Sequence, residues 1–345
     1  MRRFLIFLII LIFIPTVSAW SFNVRVYTLA TNGKLIAVGS HDVYLFDLNG
    51  SLLWNRSVED PIWSIDINAV GYVVVGAGNS VYLFDKNGTL IWKFRTGGWV
   101  KSVAIDDRHI VAGSCDGNIY LLDLNGNLLW KYYTGDWVWS VDINGNRVVA
   151  GNGHAGHRVY MFDLNGRLLW SFDVGDWNWV KSIKIGDDIV VAGTRNFKVF
   201  AFSLNGNLLW KRDVGNVWSV AIGKNCVVVG ADKVYAFSLN GKPLWNYETG
   251  SNWVLSVAVG KFIVAGSRDG CVYVFDKDGN PTMVVKTGDW VRGVAITDSY
   301  VIAGSDKLYV LKIEKGNVKP PKTSGFCLIP AVIGFTLALK KRKFS

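Results

Sequence analysis

Nine tryptophans, Trp63, Trp99, Trp137, Trp139, Trp177, Trp179, Trp218, Trp253 and Trp290, each stand just before or at the start of a short Val- or Ile-containing run. An indole does no acid–base work; it offers a broad apolar face and one N–H donor. The chemistry open to such a set is recognition. Indoles gathered on one surface would stack on sugar rings or a planar ligand, or anchor a protein interface. Aromatic side chains are also common core residues, so packing between neighbouring elements is the competing reading. Both remain open at this level.

Few other residues suggest chemistry. Asp66, Asp142 and Lys184 occupy a slot that holds Ala104, Ala221, Ala258 and Ala295 in equivalent runs. Charges in such a slot must be hydrated or paired, which suits a water-lined channel or a salt bridge better than catalysis. His154 and His157 are three residues apart, but no third ligand accompanies them, and a solvent loop explains them more simply than a metal site. Cys115, Cys226, Cys271 and Cys327 form no adjacent pair and no disulfide framework is expected. No nucleophile–base pair, phosphate loop or metal cluster is present, so no catalytic residue, metal or cofactor is expected.

The elements that must position the tryptophans repeat along the chain. Val43–Asp47, Val81–Asp85, 119–123, 159–163, 199–203, 234–238, 272–276 and 308–312 are copies of one short β-type run, spaced 35 to 40 residues apart. Around each lie further β-branched and aromatic runs separated by turn residues, with no stretch periodic enough for a helix. Four strands per repeat and eight repeats describe an all-β, eight-bladed β-propeller of four-stranded antiparallel blades. Asn-Gly at 49–50, 87–88, 125–126, 165–166, 205–206 and 240–241, with Asp278-Gly279, supplies the left-handed backbone of tight hairpins. A second tryptophan set, Trp54, Trp92, Trp130, Trp170, Trp210 and Trp245, recurs in the last strand of each repeat and is expected to pack between blades. Met283 fills that slot in the seventh repeat, as a flexible apolar substitute.

The repeat resembles the quinoprotein-type, PQQ-like propeller repeat. Ala112-Gly113-Ser114-Cys115-Asp116-Gly117 leads into Ile119-Tyr120-Leu121-Leu122-Asp123, then Asn125-Gly126 and Leu129-Trp130, and the likeness runs over roughly residues 20 to 313. That family contains quinone-dependent dehydrogenases, which are much longer and carry adjacent cysteines with a calcium-and-base constellation; none of these is matched here. It also contains non-enzymatic propellers, including a bacterial outer-membrane assembly lipoprotein, that work by binding other proteins. The resemblance therefore implies a non-enzymatic binding or assembly scaffold, expected as a monomer; the position of the nine tryptophans ahead of the inner strands makes them its expected binding residues, with surface proteins or glycans as partners. A glycan-binding surface protein and a quinone-dependent enzyme are the alternatives.

The chain ends add location and closure. Arg2 and Arg3 precede the eleven apolar residues Phe4 to Ile14 and the small residues Val17-Ser18-Ala19. Residues 1–19 thus read as a signal peptide, since eleven helical residues rise only about 16 Å against a ~30 Å hydrocarbon core. The eighth repeat lacks its last strand, while Trp20-Ser21-Phe22-Asn23-Val24 matches Trp170-Ser171-Phe172-Asp173-Val174. The N-terminal strand is therefore expected to complete the last blade, giving a propeller over 20–314. A linker, 315–325, leads to an apolar segment with a basic end, 326–345. This tail is similar to archaeal C-terminal surface-sorting tails and implies membrane anchoring with the propeller outside. Nine of the Lys and Arg residues lie in the termini and linker, leaving 28 basic against 27 acidic residues in the body. A near-neutral body removes the case for a nucleic-acid partner.

Overall fold

The computed structural model describes residues 19–314 and 317–318, apart from 155, 176 and 177. Its residues form eight four-stranded antiparallel sheets in a ring. Blades 1 to 7 span 28–57, 62–95, 100–133, 138–173, 180–213, 219–247 and 254–286, and blade 8 joins 293–314 to 20–22. The expected signal peptide, linker and sorting tail lie outside the described residues, except Ala19 and the short strand Asn317–Val318. Among the described residues no helix is long and apolar enough to cross a membrane.

Blade 3 shows how sequence becomes sheet. Val100–Ile105, His109–Ser114, Asn118–Asp123 and Leu128–Tyr133 pair in that order from the channel outward. The middle strands are covered on both faces, and Ile110–Ser114 and Ile119–Leu122 are buried without a break. The outer strand instead alternates between exposed and half-buried residues, the pattern of a sheet with one wetted face. Between each pair of neighbouring blades lies one apolar cluster, eight in all, such as Val74, Leu83, Val103, Ile110, Tyr120 and Leu122 between blades 2 and 3. Close approach matters here: a Cβ on Gly113 would sit 2.6 Å from Val138 Cγ1 of the next blade.

Two further links tie blade to blade. Near the channel, Ser64, Ser102, Ser140, Ser182, Ser219 and Ser256 each accept the backbone N–H of an inner-strand residue of the following blade at 2.9–3.2 Å. At the rim, each outer indole donates to the carbonyl just before the next blade's turn, as Trp92 Nε1 to Leu124 O at 2.9 Å and Trp210 Nε1 to Leu239 O at 2.8 Å. The indole then lies against the turn glycine. Gly126 has φ of 84° and a Cβ there would meet the Trp92 ring at 2.9 Å, so the turn needs glycine for two reasons. Met283 stands opposite Val274 as Trp130 stands opposite Leu121, and it is buried.

The ring closes as the sequence anticipates. Trp20, Ser21 and Phe22 pair with Val310, Tyr309 and Leu308, and Trp20 Nε1 donates to Leu48 O of blade 1 at 2.9 Å.

Candidate recognition site at the mouth of the channel

All eight inner strands begin at the same end of the ring, so the residues just ahead of them gather around one mouth. In five blades the register slips immediately after the first inner-strand residue, between Ile62 and Ser64, Val100 and Ser102, Val138 and Ser140, Val180 and Ser182, and Val254 and Ser256. The extra residues are Trp63, Lys101, Trp139, Lys181 and Leu255. Such a bulge interrupts the ladder and re-aims its side chain. Two residues earlier in blades 3, 4, 5 and 7 stand Trp99, Trp137, Trp179 and Trp253. Their carbonyls accept the N–H of Cys115, Gly153, Arg195 and Arg268 at 2.8–3.1 Å, which pins the start of each inner strand to the loop after the second strand.

The mouth indoles are substantially solvated. Trp99 is 56% exposed, Trp63 46%, Trp137 40%, and Trp253 and Trp290 38% each, whereas the rim residues Trp54 and Trp210 retain 6%. Trp139, Trp179 and Trp218 are half-buried, and Trp177 lies outside the described residues. The structure thus places eight of the nine expected residues and brings seven of them into ring-to-ring groups, with Trp290 joined through Arg268. Trp63 and Trp99 stack at 5.9 Å, Trp139 and Trp179 at 5.1 Å, and Trp218 and Trp253 at 4.9 Å between ring centroids. Trp137 leans on Trp139, and His154 sits 5.4 Å from Trp137 and 5.5 Å from Trp179. His154 therefore belongs to the aromatic surface. In blade 1 the place of an indole is taken by Tyr27, set edge-on to His41.

Reading the sequence for aromatics alone misses the cations interleaved with them. Lys101 Nζ lies 3.3 Å from the centre of the Trp63 ring and 4.8 Å from that of Trp99. Lys181 Nζ lies 3.5 Å from Trp139 and 5.0 Å from Trp179, and Arg195 covers Trp179 at 4.5 Å. Arg268 bridges Trp253 and Trp290 at 4.4 and 4.1 Å, with Arg292 5.3 Å from Trp290. Each pair is a cation–π contact. Burial lowers the Lys101 ammonium, and burial with repulsion from Arg195 and Lys101 brings Lys181 down to about 8. A signal for this was available. The residue between the first Val or Ile and the Ser of the inner strand runs Trp63, Lys101, Trp139, Lys181, Trp218 from blade 2 to blade 6, nearly an alternation of indole and cation.

Below the mouth, the slot residues line the channel. Lys184 Nζ meets Asp142 Oδ1 at 3.0 Å while half of its side chain stays accessible, and Asp142 Oδ2 accepts the Ile185 N–H at 3.0 Å. Asp66 accepts the N–H groups of Ile67 and Ile105 at 2.9 and 3.0 Å. Burial pushes its carboxyl up to about 6, with Lys184 and those two hydrogen bonds opposing and Asp142 adding. These groups are structural in geometry: each is tied to a neighbouring strand. Among the described residues no three His, Cys, Asp or Glu side chains come together as a metal site. Cys115, Cys226 and Cys271 are free thiols. An open groove of about 610 Å³ lies beside Asp213, Asp232 and Tyr235 and includes Trp253 in its lining.

A family model described as outer membrane protein assembly factor BamB matches this chain over residues 39–171, 77–217 and 155–298. Among solved structures, the computationally designed Ika8 protein is similar with 21% identity and a TM-score of 0.77, covering 85% of this chain and 98% of its own. BamB from Moraxella catarrhalis is similar with 17% identity and a TM-score of 0.71, covering 87% and 99%. At these identities both likenesses concern the fold. A search of curated proteins finds no match.

Proposed function

The chain belongs to the PQQ-like repeat propellers described as outer membrane protein assembly factor BamB, and on that premise we propose that it is a non-enzymatic protein-binding scaffold on the outer face of the cell. The binding surface is the channel mouth with Trp63, Trp99, Trp137, Trp139, Trp179, Trp218, Trp253 and Trp290, and Trp177, outside the described residues, is proposed as a ninth contact. One observation carries this reading: Trp63, Trp99, Trp137, Trp253 and Trp290 are left 38–56% exposed and grouped at one end of the ring. Solvated aromatic clusters of this kind cost free energy in an isolated protein and are typical of contact surfaces. Placement outside the cell follows from the apolar N-terminal run and the basic-ended apolar tail.

The test is affinity capture by the full-length chain from the envelope fraction of the cells that encode it, after cross-linking. A chain carrying Trp63→Ala, Trp99→Ala and Trp137→Ala is the comparison. Loss of specific protein partners at an unchanged unfolding midpoint is the expected result. An unchanged partner set would remove the mouth from the proposal. Recovery of polysaccharide in place of protein would favour the glycan alternative, and dye-linked dehydrogenase activity on addition of quinone and calcium would overturn the non-enzymatic reading.

A further inference from the structure

The mouth carries cations among its aromatic rings, and their charge is unusually placed. Lys101, Lys181, Arg195 and Arg268 each rest on indole rings, and none of the four is in an ion pair with a carboxylate among the described residues. The aspartates of the adjoining loops are engaged otherwise. Asp116 accepts from Gly97 N, Asn118 N and Tyr120 Oη, Asp136 from Trp137 N and Gly156 N, and Asp289 holds Arg25 and Arg292. A cation that has given up part of its hydration to an aromatic ring, with no counter-charge beside it, gains more from an incoming anion than one in open water.

We infer that the mouth binds an acidic segment of a partner protein, whose carboxylates are received by Lys101, Lys181, Arg195 and Arg268 between the indoles. This rests on the scaffold reading above and supplies the chemistry of its partner. A neutral sugar is the poorer fit, because stacking needs open ring faces. Trp63, Trp139 and Trp179 each have a neighbouring indole and a cation against them, Trp253 has Trp218 and Arg268, and Trp290 has Arg268 and Arg292. The segment lies across the mouth and does not thread the channel, since Asp66 and the paired Asp142 form an acid-bearing level below. Its carboxylates meet the cations at the edges of the aromatic groups.

The probe is fluorescein-labelled poly-L-glutamate, titrated against the full-length chain in detergent and read by anisotropy, with polygalacturonate as the glycan comparison. Saturable binding that weakens with salt is expected. Joint Lys101→Gln and Lys181→Gln substitution is expected to weaken it on the order of tenfold, the loss of one to two charge-assisted contacts. Replacement of both by arginine should largely restore it. Arg268→Gln, on the opposite arc of the mouth, gives a second arm with a loss of about threefold should the double variant fold poorly. Equal affinity in the Gln variants and wild type overturns the inference, as does tighter binding of polygalacturonate at matched charge. If poly-glutamate fails while the Trp→Ala chain still loses its captured partners, the acidic-segment inference falls and the scaffold reading stands. If the captured partners also persist, both fall.

Discussion

The rim and the mouth of this propeller use the same side chain to opposite ends. At the rim, the indole of Trp210 is buried, its N–H bonded to Leu239 O and its ring set against Gly241, where a Cβ would come within 2.4 Å. At the mouth, Trp99 and Trp63 stack on each other and on Lys101, with about half of each side chain in water. The difference lies in what the neighbouring blade offers. A rim indole meets a glycine turn and a free carbonyl, a fixed socket repeated around the ring. A mouth indole meets side chains at the start of a neighbouring inner strand, as Trp63 meets Trp99 and Lys101. The first arrangement has a reason to be repeated; the second leaves ring edges and the cations set against the rings open to solvent.

That contrast makes its largest prediction at the rim. Trp210→Ala removes a large buried side chain from the junction of blades 5 and 6 and is expected to cost about 3–5 kcal/mol in denaturant unfolding. Trp210→Met should cost less, because Met283 already does this work in blade 7. A loss below ~1 kcal/mol for the alanine variant would show that the socket adds little to ring stability.

The matching change at the mouth should be small in stability. Trp63→Ala deletes one exposed ring and its contact with Lys101, and an expected cost of about 1 kcal/mol or less follows from the size of exposed cation–π contacts. A cost equal to that of Trp210→Ala would erase the distinction between the two sets and make the mouth another packing layer.

Much of this was legible in the chain. The eight copies of the third strand, the Asn-Gly turns and the outer Trp recur at fixed offsets, so ring, blade count and rim packing follow from local turn chemistry and strand patterning. The closing strand was readable too, because Trp20 and Phe22 copy Trp170 and Phe172 of an intact blade. The cations of the mouth are harder to see in the sequence. A near-neutral count over the whole body averages away five cations that the fold collects at one opening, and charge balance says nothing about where charges meet. Lys101 and Lys181 also look like ordinary surface lysines until the fold sets them against the indoles of neighbouring strands. His154 is exposed, as a solvent loop predicts, and its ring also joins an aromatic cluster that its spacing from His157 does not announce.

Between rim and mouth lies a third environment, the level of Asp66, and it gives the smallest and most specific expectation. The folded protein holds this carboxyl at about 6, above the ordinary aspartate value of 3.8, chiefly by burial. The folded state therefore binds this proton more tightly than the unfolded chain does. Between those two values the stability contributed by Asp66 falls as pH rises, and it levels off above about 6. Turn carboxylates act in the other direction: hydrogen bonds from Thr89, against a smaller burial effect, hold Asp85 below its ordinary range, so it stabilises above that range and loses the benefit in acid. Comparing wild type with Asp66→Asn cancels these common contributions. Relative to the variant, wild type should lose stability between about pH 4 and pH 6.5 and run parallel to it above that. Parallel denaturation curves across the whole interval would mean that water in the channel solvates Asp66 as well as bulk water does, and that the channel at this level belongs with the wet mouth and not with the packed blades.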